Sequence, residues 1–307
     1  MHPLYAHNLG KISPRRAPTR IASPRTVSPG AWSIGIYAGR SPLHLAPMPR
    51  IINPVLTAWH VTDVPAQFVA DPFMLQSGSM WYMFFQVMNS ATRKGEIGLA
   101  TSRNGLAWKY ESIVLHESFH LSFPCVFRWN DDFYMVPETC QAGSVRLYRA
   151  ACFPHQWEYV KDLVPGVHAD SSVFYFQRRW WMFACPTPQE HDVLSLYYAD
   201  SPAGKWVQHP RSPIVTGNKR IARPAGRVLP WNRGLIRFTQ DCYPTYGKQV
   251  RAFHISELTP TTYKEQEVAE SPVLSASGEG WNAFGMHHVD VHYTGNSRWL
   301  ACVDAIA

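Results

Sequence analysis

Apolar and polar positions along this chain form a unit that recurs. Asp71-Pro-Phe-Met-Leu-Gln-Ser-Gly-Ser-Met-Trp-Tyr-Met-Phe-Phe-Gln86 opens on a carboxylate and runs apolar. It turns at 76–79 and returns through aromatics to a polar residue. That pattern predicts a β-hairpin. Antiparallel pairing then sets Asp71 beside Gln86 at one end of the sheet. The unit returns from His120 to Glu138, from Asp170 to Pro186, from Arg223 to Asp241 and from His287 to Asp304. The starts at 71, 120, 170, 223 and 287 lie 49, 50, 53 and 64 residues apart. A period of roughly 40–50 residues with several strands in each repeat marks a β-propeller.

After each of the first four hairpins come two more strand-like runs: 97–102 with 108–115, 145–149 with 157–164, 194–198 with 206–215, and 250–254 with a run ending at Leu274. The fifth hairpin has no such sequel before Ala307, whereas runs at 33–37 and 51–56 stand alone near the start. Asn53-Pro-Val-Leu56 also matches Ser212-Pro-Ile-Val215 and Ser271-Pro-Val-Leu274. The expected fold is therefore all-β: one five-bladed propeller over 31–307, with four-stranded blades and N-terminal strands completing the last blade. Closure removes two exposed sheet edges. Trp108, Trp157, Trp206 and Tyr263 open the fourth strands and are expected to wedge between blades. Helix is limited to single turns at 91–96 and 256–258.

Composition adds little to the fold and more to the setting. The chain has 307 residues, is 46% hydrophobic, and carries a formal charge of +7. Lys11, Arg15, Arg16, Arg20 and Arg25 supply 5 of those 7 with no carboxylate among residues 1–30. That segment reads as a disordered basic leader, and its prolines argue against an amphipathic transit helix. The rest is close to neutral, which argues against a nucleic-acid partner. No apolar run reaches the roughly 18 residues that span a membrane. The six cysteines, at 125, 140, 152, 185, 242 and 302, show no close pairing. They are expected to be reduced thiols in a cytoplasmic protein.

The candidate chemistry follows from the ring. In a propeller the first strand of each blade lines the axis, so the hairpin starts converge. Asp71, His120, Ser122, Asp170, Arg223, Arg227, His287 and His288 meet there, joined by Gln240, Asp241 and Tyr246 and by Glu138 from a returning strand. Polar groups inside a channel are costly unless they pair or meet a ligand. The competing expectation is a self-satisfied hydrogen-bond plug. Several carboxylates around one mouth suit glycosyl hydrolysis or transfer. Asp71 is the expected base or nucleophile, Glu138 the acid, and Asp170 the group that tunes the acid. Arg223 and Arg227 suit a carboxylated or phosphorylated sugar. The alternative for each is a salt bridge to Asp170, Glu138 or Asp241. His287, His288, Asp290 and His292 hold metal-ligating atoms, but 288, 290 and 292 share one strand face and 287 the other. No cofactor is expected, and any cation would sit near His287.

Ala70-Asp-Pro-Phe73, opening the first inner strand of such a ring, resembles the furanosidase propellers: the arabinanase, levansucrase and invertase superfamily, including glycoside hydrolase family 43. More narrowly, several runs resemble the propeller domain of plant glucosamine inositolphosphorylceramide transferases and their bacterial relatives. They are Ser122-Phe-Pro124, Pro137-Glu138, Arg223-Pro-Ala-Gly-Arg227, Gln240-Asp-Cys242 with Tyr246-Gly247, and Gly285-Met-His287. The resemblance covers roughly residues 32–307. It implies Asp71 as base or nucleophile and a central cation-holding His near His287. It also implies that transfer chemistry in the plant proteins sits in a separate transferase domain. Two departures stand out. The superfamily's blade-two Asp is replaced here by His120 and Ser122, and its blade-three Glu by Asp170. Three functions compete: a glycosidic-bond enzyme, a glycan- or glycolipid-headgroup-binding propeller that partners a glycosyltransferase, and a protein scaffold.

Overall fold

The computed structural model describes residues 30–307; the expected leader, apart from Gly30, lies outside them. Five antiparallel sheets form the ring. Blade one is Ala66–Ser77, Met80–Asn89, Lys94–Ser102 and Lys109–Leu115. Blade two is Ser122–Trp129, Asp132–Glu138, Ser144–Cys152 and Gln156–Pro165. Blade three is Ala169–Phe176, Arg179–Cys185, Ser195–Ala199 and a short Val207–Gln208. Blade four is Leu229–Trp231, Gly234–Asp241, Gln249–Leu258 and Tyr263–Glu267, with Leu274–Ser275 added beside its third strand.

Blade five joins the two ends of the chain. Val289–Gly295 and Arg298–Ile306 are its inner strands. Trp32–Ser41 pairs with Arg298–Ile306 from Trp32 opposite Ile306 to Gly39 opposite Trp299. The fourth strand is His44–Pro47, not the 51–56 run. That run instead touches the third strand by one bridge, Ile34 to Leu56, and the same bridge recurs as Leu194 to Val215 and Val250 to Leu274. In each case the residue before the proline accepts a third-strand N–H: Asn53 from Ile36 at 2.8 Å, Ser212 from Leu196 at 3.0 Å, Ser271 from Ala252 at 3.3 Å. The matching triplets are thus a repeated clasp rather than a strand.

Between blades the filling is aromatic. Trp157 packs edge-on to Phe84 of blade one at 5.4 Å, and Tyr263 edge-on to Phe183 of blade three at 5.9 Å. The indoles of Trp108, Trp157 and Trp206 each donate to a carbonyl in the preceding loop, at Gly105, Pro154 and Pro202. That bond removes the polar cost of burying the ring. Neither expected helical turn forms; short 3-10 turns occur instead at Ala58–His60, Cys140–Ala142 and Gly280–Asn282. No helix among the described residues is long and apolar enough to cross a membrane.

The axis below the mouth is filled. Arg227 of blade four pairs with Asp290 of blade five at 2.7 Å and donates to the carbonyls of Val126 and Met74. Asp290 accepts from Met74 N at 2.7 Å and from His292 at 2.9 Å. Ser172 donates to Gly226 O at 2.7 Å, tying blade three to blade four. Gly226 has φ +138, and a Cβ there would fall 1.9 Å from Val289 O, so no other residue fits.

Candidate active site

Three blades open their inner strand with the same local device. A bulge lies between Ala70 and Phe73, between Ser122 and Cys125, and between Ala169 and Ser172. Inside it Asp71, Phe123 and Asp170 take φ of 53°, 45° and 49°. An extra residue in the left-handed region re-aims its side chain at the axis. The blade-two counterpart of Asp71 is therefore Phe123, not His120 or Ser122. Register corrects the spacing argument by three residues, because the loop before blade two's strand is polar too. His120 instead accepts Gly95 N–H at 3.0 Å and contacts Gln86 at 3.3 Å. Ser122 pairs across the sheet with Glu138.

A continuous set of contacts links Asp71, Glu138, Asp170, Arg223, Gln240, Tyr246 and His287. Arg223 Nε donates to Asp170 Oδ2 at 2.6 Å, its Nη2 lies 3.5 Å from Glu138 Oε2, and its Nη1 donates to Pro188 O and meets His191. Gln240 Nε2 also donates to Asp170 Oδ2, at 2.6 Å. The ring of Tyr246 lies 5.2 Å from the Arg223 guanidinium and 5.3 Å from the His287 ring. His287 Nδ1 meets Asp304 Oδ1 at 2.7 Å, and its Nε2 lies 3.7 Å from Asp71 Oδ1. Trp32 stacks on the same imidazole at 3.9 Å. The loop carrying Tyr246 lies tight above it; a Cβ on Gly247 would fall 2.8 Å from Trp32 and 3.1 Å from His287 Cβ.

Four carboxyls (Asp71, Glu138, Asp170, Asp304) face the Arg223 guanidinium and the His287 imidazole. Burial and distance divide the charge. Burial alone would raise Asp170, but Arg223 at 2.6 Å and a hydrogen bond shared with Glu138 bring it below the ordinary range. Burial pushes Glu138 up to about 8, helped by the Asp170 charge, and Arg223 at 3.5 Å does not reverse it. Burial likewise lifts Asp71 to about 7, against the pull of His287. Asp304 keeps the buried His287 above its ordinary value despite desolvation. Asp71 has weak company: Phe123 N–H at 3.4 Å is the hydrogen bond it accepts. Glu138 accepts from the Cys140 thiol at 3.3 Å and from Asp170 N–H at 3.3 Å. The mouth thus holds one carboxyl that keeps its proton at neutral pH and another that readily gives its proton up.

Arg227 and Asp241 lie apart. Arg227 is in the layer below, with Asp290. Asp241 is fully buried on the opposite strand face from Gln240, tied to Arg220, Arg251 and Gln249. Alternation along one strand sends neighbours to opposite faces. His288 borders the cluster, its Nδ1 3.9 Å from Asp71 Oδ1; it is fully buried edge-on to Phe73 and Phe123, and neither ring nitrogen has a hydrogen-bond partner among the described residues. Arg223 makes the salt bridge of the alternative expectation, to Asp170 and Glu138; Arg227 pairs instead with Asp290, which was not among the expected partners. The residue that spacing missed is Asp304, which also accepts Asp71 N–H at 2.9 Å and so fixes the bulge. It closes the returning polar-ended run of blade five's hairpin as Glu138 closes blade two's, and that equivalence was its available signal. Trp32 and His191 carried none. Asp71, His287 and Asp304 bring possible metal ligands together, yet both Asp304 oxygens are already engaged, with His287 and with Asp71 N–H.

Comparisons with known proteins agree with this architecture. The catalytic domain of the Coprinopsis cinerea family 62 α-L-arabinofuranosidase superposes with a TM-score of 0.60 at 11% identity, covering 91% of this chain and 98% of that one. A thermostable family-43 glycoside hydrolase gives 0.57 at 15% identity, covering 80% and 91%. At those identities the likeness shows the fold alone. Glucosamine inositolphosphorylceramide transferase 1 of Oryza sativa subsp. japonica is 35% identical over 296 residues, 90% of this chain and 40% of the relative. The Arabidopsis thaliana protein of that name is 34% identical, covering 90% and 39%. This chain thus spans about 40% of the length of the curated relatives it matches. Residues 25–305 match the family described as glucosamine inositolphosphorylceramide transferase 1, N-terminal, and the chain belongs to that family.

Proposed function

We propose that the propeller acts on a glycosidic bond at this mouth, in a glycan or in the sugar-bearing headgroup of a glycolipid. Glu138 donates a proton to the leaving oxygen. Asp71, ionised above about pH 7, serves as base or nucleophile on the other side. Asp170 holds Glu138 in its acid form by keeping a negative charge beside it. The observation that carries the reading is the gathering of Asp71, Glu138 and Asp170 around Arg223 and His287, with an ionised Asp170 beside a Glu138 that burial keeps protonated, the kind of acid that glycoside chemistry needs. A carbohydrate substrate is supported by the family, whose named relatives are glycosyl-transferring proteins of a sphingolipid. A cytoplasmic setting belongs to the same proposal, supported by six free cysteines.

The second reading is a glycan- or headgroup-binding propeller that serves a glycosyltransferase. The length of the relatives favours it, since 60% of the rice protein lies beyond the matched span. One experiment separates the two: a panel of aryl glycosides and glycolipid headgroups with the unsubstituted chain, Asp71→Asn and Glu138→Gln. Turnover lost in both variants, with folding retained, supports catalysis. Saturable binding without turnover in any of the three supports the binding role, and full turnover in either variant removes that residue from it.

A further inference from the structure

Away from the carboxylate mouth a cleft of about 840 Å³ lies on the hairpin-turn face, at the seam where blade five meets blade one. Its walls are the turn after Trp32–Ser41 begins to bend, the loop after blade one's third strand, and the blade-five hairpin turn. A volume of about 300–1,000 Å³ suits a small ligand. No acidic side chain lines the cleft, while Arg40 and Arg298 both do. Neither guanidinium has a carboxylate partner among the described residues. This differs from Arg223, Arg227 and Arg237, each of which is paired with a carboxylate.

The remaining lining is mixed in a particular way. Ser297 and Asn104 offer polar edges, and Leu106 and Trp299 offer apolar ones. The Trp299 ring is held by Trp231 at 5.7 Å and Tyr293 at 5.2 Å. An indole face takes the C–H side of a sugar ring, hydroxyls and amides take its oxygens, and a pair of forked cations takes an oxyanion. We propose that this cleft binds a saccharide bearing a phosphate or carboxylate group, independently of any chemistry at the mouth.

Calorimetric titration of the full chain with glucose 6-phosphate, glucuronate, glucose and inorganic phosphate tests this. The two anionic sugars should bind more tightly than glucose or phosphate alone, and the binding should weaken with salt. Arg40→Ala and Arg298→Ala, both exposed and therefore harmless to folding, should each weaken it about tenfold, the worth of a charged hydrogen bond. Arg178→Ala, on the blade-three turn, should leave it unchanged. Glucuronate and glucose 6-phosphate acting alike point to the shared oxyanion; one acting alone names the group. Equal binding of glucose, equal binding of inorganic phosphate, unaltered binding in the two arginine variants, or no binding at all each overturns the proposal.

Discussion

Replacing Glu138 by Gln should make the protein more stable in alkali, relative to the unsubstituted chain, than in acid. In the folded state burial raises Glu138 from 4.5 to about 8. The fold therefore favours the protonated form. As pH climbs past 4.5 the unfolded chain ionises first, so folding stability falls until the folded carboxyl ionises near 8. At about 1.4 kcal/mol for each pH unit the ceiling on that loss is on the order of 5 kcal/mol. Relaxation around a buried, coupled carboxyl brings a realistic figure to roughly 2–4 kcal/mol. Gln has the size of the protonated acid and no such titration. At pH 5 the two proteins should unfold at nearly the same temperature. At pH 9 the variant should unfold roughly 4–12 °C higher relative to the unsubstituted chain, at about 2–3 °C for each kcal/mol in a domain of this size. Scanning calorimetry at half-unit steps from pH 5 to 9 gives the curve. Parallel lines for the two proteins would show that Glu138 ionises normally, and the assignment of an acid at the mouth would go with it.

The remaining expectations use the same geometry. Turnover, where found, should follow a bell whose rising limb lies near 7, where Asp71 ionises, and whose falling limb lies near 8, where Glu138 loses its proton; an optimum below pH 6 contradicts both roles. Arg223→Ala leaves Asp170 a buried charge without its 2.6 Å partner, and urea unfolding should record a loss of about 3–5 kcal/mol. Asp304→Asn removes the charge that raises the His287 affinity for a proton, so the His287 ring should titrate at lower pH by NMR. Phe84→Ala, at a fully buried ring against Trp157, should cost about 3–5 kcal/mol.

Much of the architecture could be read from the hairpin repeat, because alternation and turn residues act locally. Asp71 beside Gln86 is one case: Ala70 pairs with Gln86 in the observed register. What failed was placement that depends on bulges. His120 and Asp71 open similar apolar runs, yet a single extra residue inside the strand, not the start of the run, decides which side chain faces the axis. The result is Phe123 at that position. The run at 51–56 misled for a related reason, since an Asn or Ser before a proline can clasp a strand without joining it. Partner choice was beyond reach as well. That Arg223 serves Asp170 and Arg227 serves Asp290 follows from a vertical offset of one layer along the axis, which spacing in one strand does not encode.

The pairing of Trp32–Gly39 with Trp299–Ile306 has a consequence for biosynthesis. The edge that Trp32–Gly39 offers to Trp299–Ile306 stays unpaired until the residues between them have been made. Loop-closure entropy over that separation makes the joining step late and slow. The bulge at Asp71 leans on Asp304, so the mouth matures only when this seam is zipped, and a chain arrested before Arg298 would lack the contact that sets Asp71.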